Sequence, residues 1–114
     1  MEHHLHKMNI TVLTPDREIF RGAIVSVKVP GTEGQFQVLN RHAPIVSSLE
    51  KGVVQLVTAG GDYQYFNEET GNLETGTEAG RKIKYAITGG FIEVLNNEVS
   101  LLARGLERQN GNGK

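Results

Sequence analysis

One internal histidine and two nearby serines are the side chains best suited to catalysis. A serine nucleophile needs a base within hydrogen-bond reach and an acid that orients this base. The sequence around His42, Ser47 and Ser48 carries no signature of such an acid. We therefore expect no catalytic residue and interpret His42 as a turn residue that orients backbone or contacts a partner. A small hydrolase built on His42 and Ser47 is kept as the enzyme alternative.

Two clusters could be taken for metal sites. The N-terminal histidines His3, His4 and His6 form a terminal cluster, and such clusters are more often a tail or an added extension than a metal site. An acidic segment further along carries Glu68, Glu69, Glu74 and Glu78. It lacks the alternating acidic spacing and central glycine of a calcium loop. We therefore expect no bound metal.

The glycine pair Gly89-Gly90 could suggest a phosphate-binding loop. The spacing of such a loop is missing, and no lysine-serine pair follows the glycines. Adjacent glycines within a strand pattern allow two backbones to approach closely. We expect a strand corner at this position and no bound cofactor.

Composition limits the class of protein. The chain has 114 residues, 12 basic and 13 acidic, no cysteine and a formal net charge of -1. One domain fits this length, and the charge balance argues against binding nucleic acid or an anionic membrane. No apolar run reaches the ~20 residues of a membrane span, and the N-terminus lacks the apolar centre of a signal peptide. We expect no direct membrane insertion.

Alternation of apolar and polar residues with a period of two runs through most of the chain. In the segment 23–29, for example, Ala23, Val25, Val27 and Val29 are expected to share one face. Asn96-Asn97 between two apolar runs predicts a two-residue hairpin turn. Similar runs lie at 10–13, 35–39, 45–49, 53–57, 63–66, 83–88, 91–95 and 99–102. The pattern predicts an all-β domain, a flattened antiparallel sandwich or barrel of about ten short strands.

The domain organisation follows from where this pattern stops. We expect residues 1–7 to be a tail or an added extension, residues 8–105 to form the sandwich domain, and residues 106–114 to be a short polar tail. Within the domain, the segment 67–80 is rich in glycine and glutamate, and we interpret it as an extended acidic hairpin loop.

The most specific segment, residues 29–44, predicts a docking surface. Pro30 and the glycines at 31 and 34 favour a tight bend that displays Thr32 and Glu33 at its tip. The tripeptide His42-Ala43-Pro44 ends the next strand, and its proline suits an edge or a corner.

Four segments together form a specific pattern: Leu-Thr-Pro-Asp-Arg-Glu-Ile-Phe-Arg-Gly at 13–22, Gly-Thr-Glu-Gly at 31–34, His-Ala-Pro at 42–44 and Gly-Gly-Phe-Ile-Glu-Val at 89–94. In this order they resemble the N-terminal domain of the epsilon subunit of bacterial F-type ATP synthase. The resemblance implies a ten-stranded sandwich in the central stalk, a non-catalytic rotor subunit that links the gamma subunit to the c ring. It would support the coupling of proton or sodium flow to ATP synthesis.

The resemblance also implies site residues and a location. The residues facing the c ring would be Gly31, Thr32, Glu33, Gly34 and Gln35, and those facing gamma would be His42, Pro44, Val46 and Ser47. The catalytic-head subunits would be indirect partners, and the protein would lie peripherally at the cytoplasmic face of the plasma membrane. Longer relatives continue into two C-terminal helices. Because the residues after Gly105 cannot form that hairpin, we expect neither ATP binding nor inhibition by a C-terminal arm.

A stand-alone sandwich that binds a glycan or a peptide is the alternative from another class. It would need an exposed aromatic platform or an open sheet edge. The clustered aromatic residues are Tyr63, Tyr65 and Phe66.

Overall fold

The computed structural model describes residues 8–67 and 69–107. The tail predicted at 1–7, Glu68 and residues 108–114 lie outside the described residues. The ten described strands are β1 Met8–Leu13, β2 Glu18–Gly31, β3 Gly34–Leu39, β4 Ile45–Leu49, β5 Gly52–Ala59, β6 Tyr63–Asn67, β7 Asn72–Gly76, β8 Ala79–Ile87, β9 Gly90–Leu95 and β10 Glu98–Ala103. The all-β prediction is confirmed.

The strands form two layers that share β2. The first half of β2 pairs with β1 and β6, and its second half pairs with β3 and β5. One layer therefore runs β4-β9-β10-β1-β2-β6-β7, and the other runs β3-β2-β5-β8. The predicted antiparallel arrangement needs one correction, because β1 and β10 pair in parallel. These two strands are far apart in sequence and need no short hairpin between them.

Strand β2 changes layer at a bulge. Ile24 pairs with Thr58 and Ser26 pairs with Val57, so Val25 is the extra residue on the β2 side. The bulge turns Val25 outward, where it is 43% exposed, whereas Val27 and Val29 are fully buried. The prediction that Val25 shares a face with these two valines is therefore wrong. Sequence alternation alone does not reveal an unpaired residue.

The core fills the space between the layers. Its largest buried side chains include Phe20 and Tyr63, whose rings stack with centroids 5.6 Å apart. A Cβ atom at Gly22 would overlap the Cβ of Tyr63. The glycine in β2 therefore allows β6 to bring its tyrosine into the core. Full burial of a large apolar side chain contributes roughly 1.5 to 3 kcal/mol.

The segment predicted as an acidic loop contains strand β7 and the beginning of β8. Strand β7 pairs with β6 over its whole length. The carboxylate of Glu74 accepts hydrogen bonds from Asn67 Nδ2 at 3.2 Å, Tyr65 OH at 3.1 Å and Thr70 Oγ1 at 3.1 Å. These donors, Asn67 first, lower the pKa of Glu74. The prediction of a loop is wrong because cross-strand hydrogen bonds, rather than an alternation of apolar residues, hold β7 against β6.

The end of the predicted domain also needs adjustment. Leu106 forms a bridge with Ile87, and Glu107 N donates to Ala86 O at 2.7 Å. Ordered pairing therefore continues two residues past the predicted boundary at Gly105.

The corner predicted at Gly89-Gly90 is confirmed by the backbone geometry. Gly90 has φ of 157° and begins β9, where it pairs with Ala103 of β10. A Cβ at Gly90 would overlap the backbone oxygen of Leu102. Only glycine fits between the two strands at this point.

We expect Gly90→Ala to lower the free energy of unfolding by about 3 kcal/mol or more, because the backbone of β10 would have to move. The matched control is Gly61→Ala. Gly61 also has a positive φ, of 84°, but no atom of a described residue other than its two chain neighbours lies within 4 Å of the point that an added Cβ would occupy. That control should cost only about 1 to 2 kcal/mol, from backbone strain alone. Urea denaturation of both variants checks this, and equal losses would contradict the steric explanation.

Candidate docking surfaces

The predicted bend at 31–35 joins β2 to β3. Pro30 pairs with Gln35 and Gly31 pairs with Gly34, so Thr32 and Glu33 form the turn between β2 and β3, and both are exposed. Gly34 has φ of 127°, a conformation that favours glycine. The backbone of Thr32 is tied to β4, because its N–H donates to Ser48 O at 3.2 Å. The predicted shape of the tip is confirmed, and its role toward a partner stays a prediction.

The turn around His42 is fixed by a residue far away in sequence. Asn97 Oδ1 accepts a hydrogen bond from Arg41 N at 2.8 Å, and Asn97 Nδ2 donates to Asn40 Oδ1 at 2.9 Å. Arg41 has φ of 68°, and His42 N closes the turn by donating to Leu39 O at 3.0 Å. The Asn97 amide therefore joins the turn before β4 to the turn between β9 and β10.

The turn that carries Asn97 is the hairpin predicted at Asn96-Asn97. Both asparagines have positive φ, 53° and 63°, and the flanking residues Leu95 and Glu98 pair directly. Positive φ at both central residues is what a type I′ hairpin requires. The prediction is confirmed.

Strand β4 links the two predicted surfaces, which lie at opposite ends of it. Leu49 pairs with Gly31 near the tip, and Ile45 pairs with Val94 near the Asn96-Asn97 turn. Val46 points outward and is 72% exposed. Ser47 is half-buried on the inner side, pairs with buried Ile92, and donates through Oγ to Ser48 O at 3.2 Å.

Three exposed apolar residues beside Val46 were not predicted from the sequence. Phe91 and Leu102 form a direct cross-strand pair between β9 and β10, and Leu95 lies further along β9. Their exposures are close to 50% each. We call Val46, Phe91, Leu95 and Leu102 the apolar patch. The signal was present in the sequence, because Phe91-Ile92, Val94-Leu95 and Leu101-Leu102 put apolar residues on both faces of these strands.

The hydrolase alternative finds no support in the geometry. His42 Nδ1 lies 2.7 Å from Ala43 O, and the Ser47 hydroxyl donates to Ser48 O. Each side chain therefore bonds a neighbouring carbonyl rather than the other. Among residues 8–67 and 69–107, no group of three or more acidic, histidine or cysteine side chains is arranged to hold a metal ion.

The aromatic platform of the glycan-binding alternative is not exposed. Tyr63 is 2% exposed, and Tyr65 and Phe66 are partly buried against the core. Within the described part of the chain, no helix is long and apolar enough to cross a membrane.

Comparison with known proteins identifies relatives of this chain. Residues 7–75 match the family model described as the beta-sandwich domain of the ATP synthase delta/epsilon chain. The ATP synthase epsilon chain of Leptospira borgpetersenii is 35% identical over 98 residues, which cover 85% of this chain and 61% of that relative. The ATP synthase epsilon chain of Campylobacter hominis is 34% identical over 102 residues, which cover 89% and 64%. The chain thus spans less than two thirds of the length of these relatives.

Solved structures share the fold. A chain in the cryo-EM structure of the Euglena gracilis mitochondrial ATP synthase, with OSCP, F1 and c-ring, superposes with a TM-score of 0.67 at 20% identity, covering 90% of this chain and 53% of that one. A chain in the Tetrahymena thermophila central stalk and c-ring structure gives a TM-score of 0.58 at 18% identity, covering 95% and 78%.

The hydrogen bonds of Asn97 give a test of how the His42 turn is held. We expect Asn97→Gly to cost about 1 to 2 kcal/mol and to speed amide exchange at Arg41 and His42, because glycine keeps the positive φ but removes both side-chain bonds. Asn96→Gly is the matched control, since Asn96 is exposed and has a similar φ. Urea denaturation and hydrogen exchange by NMR check the pair. Equal exchange rates at His42 in the two variants would show that Asn97 does not hold the turn.

Proposed function

Because the chain belongs to the ATP synthase delta/epsilon beta-sandwich family, we propose that it is a non-catalytic subunit of the central stalk of a rotary ATP synthase. The observation that carries the proposal is the family match over residues 7–75. In this role the subunit links gamma to the c ring and supports the coupling of proton or sodium flow to ATP synthesis. It lies peripherally at the cytoplasmic face of the plasma membrane as part of the complex.

The gamma subunit is the proposed partner of the apolar patch. A stable interface buries an apolar centre inside a polar rim and removes more than about 1,000 Å² from water. The patch supplies the apolar part of such an interface. Glu93 lies within it, opposite Val46 on β4 and Ser100 on β10, so its middle also holds polar groups. The residues we assign to this side are His42, Pro44, Val46 and Ser47. Ser47, which points inward, would act by supporting β4 rather than by direct contact.

The c ring is the proposed partner of the tip. The c-ring-facing residues lie near the Leu49 end of β4, whereas the His42 turn precedes its Ile45 end, so the two proposed surfaces are separated by the length of this strand. They are Gly31, Thr32, Glu33, Gly34 and Gln35. Thr32, Glu33 and Gln35 are exposed polar side chains, which suits a contact between polar loops.

A subunit that transmits torque must be mechanically stiff, and it does not need catalytic residues. Strand β2 pairs with five other strands, and Tyr85 OH donates to Ile19 O at 3.0 Å across the two layers. A closely packed two-layer core transmits displacement with little deformation. A rotor element needs this property and needs no reacting group.

We expect Val46→Asp to abolish co-elution with purified gamma. The new carboxylate would lie directly opposite that of Glu93, so the interface would have to bury two like charges side by side. The matched control is Val53→Asp, since Val53 is 50% exposed on the other layer and should tolerate the charge. Size-exclusion chromatography measures complex formation, and circular dichroism measures folding. Co-elution of the folded Val46→Asp protein would overturn the assignment of this face.

We expect Glu33→Lys to lower ATP-driven ion pumping by the assembled enzyme more than it lowers ATP hydrolysis. An exposed charge contact contributes only about 0.2 to 1 kcal/mol, so the loss should be partial and larger at low salt. Asp62→Lys is the control, because Asp62 is exposed just after β5, at the end of that strand remote from the tip. Equal pumping by the Glu33 variant and the parent at every salt concentration would leave Glu33 a plain surface residue.

A further inference from the structure

Among residues 8–67 and 69–107, no strand lies beside one edge of β8. Its one partner among the described strands is β5. Ala86 O accepts from Glu107 N on the side away from β5, and Thr88 N donates to Gly105 O at 3.0 Å on the same side. Alternate residues of an antiparallel strand direct their backbone groups to the same side, so those of Lys82 and Lys84 also face away from β5. Within residues 8–67 and 69–107 no backbone group pairs with them.

A groove runs beside this edge, between β8 of one layer and β6 of the other. Its volume is about 400 Å³, and its floor is formed by Tyr65, Phe66, Ile83, Tyr85 and Leu106. All five are partly buried and pack against the core. A strand laid along β8 could therefore direct every second side chain toward the apolar residues of this groove, whose lining also includes polar and charged side chains.

The outer side of the same edge is basic. Lys82 and Lys84 are exposed on the outer face of β8, and neither forms an ion pair with any described residue. Arg81 points to the other face, where it donates to Tyr63 OH at 3.1 Å and lies over the Tyr65 ring at 4.6 Å. The lining of the groove includes two acidic residues, Glu69 and Glu107. Acidic residues facing outward from an added strand would meet the two lysines.

The chain itself demonstrates this mode of pairing at the end of the groove. Leu106 pairs with Ile87 and packs against the core, while the next residue, Glu107, turns outward to Lys51 Nζ at 3.1 Å. An apolar residue thus points in and an acidic residue points out. A segment that continued this alternation of inward apolar and outward acidic residues along β8 toward Lys82 would fit the edge.

We propose that the β8 edge binds an extended segment of a partner protein in which apolar and acidic residues alternate. Backbone hydrogen bonds to Lys82 and Lys84 would give affinity, and the groove and the lysines would give register and specificity. A second copy of this chain does not fit, because pairing β8 with β8 brings lysines opposite lysines. The site lies away from the apolar patch and the tip, and its test requires neither gamma nor the c ring.

The test uses a fluorescein-labelled octapeptide that alternates valine and glutamate, titrated into the full 114-residue chain. We expect saturable binding by fluorescence anisotropy, weakened by salt, and slower hydrogen exchange at the amides of Lys82 and Lys84. A control peptide with four valines followed by four glutamates has the same composition without the alternation, and it should bind at least several-fold more weakly.

Substitutions on the protein locate the site. Replacing Lys82 and Lys84 together by glutamate should weaken binding of the alternating peptide by about tenfold, as expected for two exposed charge contacts. Lys28→Glu is the matched control. Lys28 lies two strands away on the same outer face, across Gln55, and its reversal should have little effect.

Three outcomes would overturn the proposal. The first is that the control peptide, with four valines followed by four glutamates, binds the parent as tightly as the alternating peptide does. The second is that the double lysine variant, shown by circular dichroism to be folded, binds the alternating peptide as tightly as the parent does. The third is full protection of the Lys82 and Lys84 amides before peptide is added, which would mean that the chain itself covers the edge. If the double variant does not fold, a peptide N-methylated at alternate residues replaces it. Undiminished binding of that peptide by the parent would exclude strand pairing.

Discussion

The path of β2 is the constraint on which the rest of the structure depends. This one strand pairs with β1, β3, β4, β5 and β6, and so belongs to both layers. The change of layer is made at Val25, where an extra residue breaks the register with β5. Beyond the bulge, β2 carries the chain to Gly31 and the tip. Before it, Gly22 opens the space in which Tyr63 of β6 packs.

The shared strand separates surfaces of different chemistry. The layer of β4, β9 and β10 presents the apolar patch. The layer of β3, β5 and β8 presents the exposed Lys82 and Lys84 and the half-buried Lys28, together with two separate exposed apolar residues, Leu39 and Val53. An apolar centre suits a persistent interface, and a lysine-lined edge suits a partner that approaches through charge and binds reversibly. Because both layers share one core, a force applied at one surface is transmitted to the others without rearrangement of the strands between them.

Much of the fold is predictable from the sequence, because period-two runs and turn residues are local signals. The hairpin at Asn96-Asn97 and the corner at Gly89-Gly90 follow from local backbone preference alone. The bulge at Val25 does not, since it exists only in the register against Thr58 and Val57. Local sequence signals do not predict strand β7, for a related reason. Its stability rests on hydrogen bonds that Glu74 accepts from β6 and the adjoining turn, and not on apolar alternation.

The candidate docking surfaces likewise have one part that local sequence predicts and another that depends on residues distant in sequence. The shape of the tip at 31–35 is encoded locally, by Pro30 and the glycines that flank the turn. The position of His42 is instead set by Asn97, a residue distant in sequence that reaches the same end of the molecule through the pairing of β4 with β9. The turn residues at 40–44 therefore predict that the chain reverses direction, but they do not predict how the turn is oriented. A docking surface made of loops inherits its geometry from the sheet beneath it, so the residues that support such a surface need not lie in its own motif.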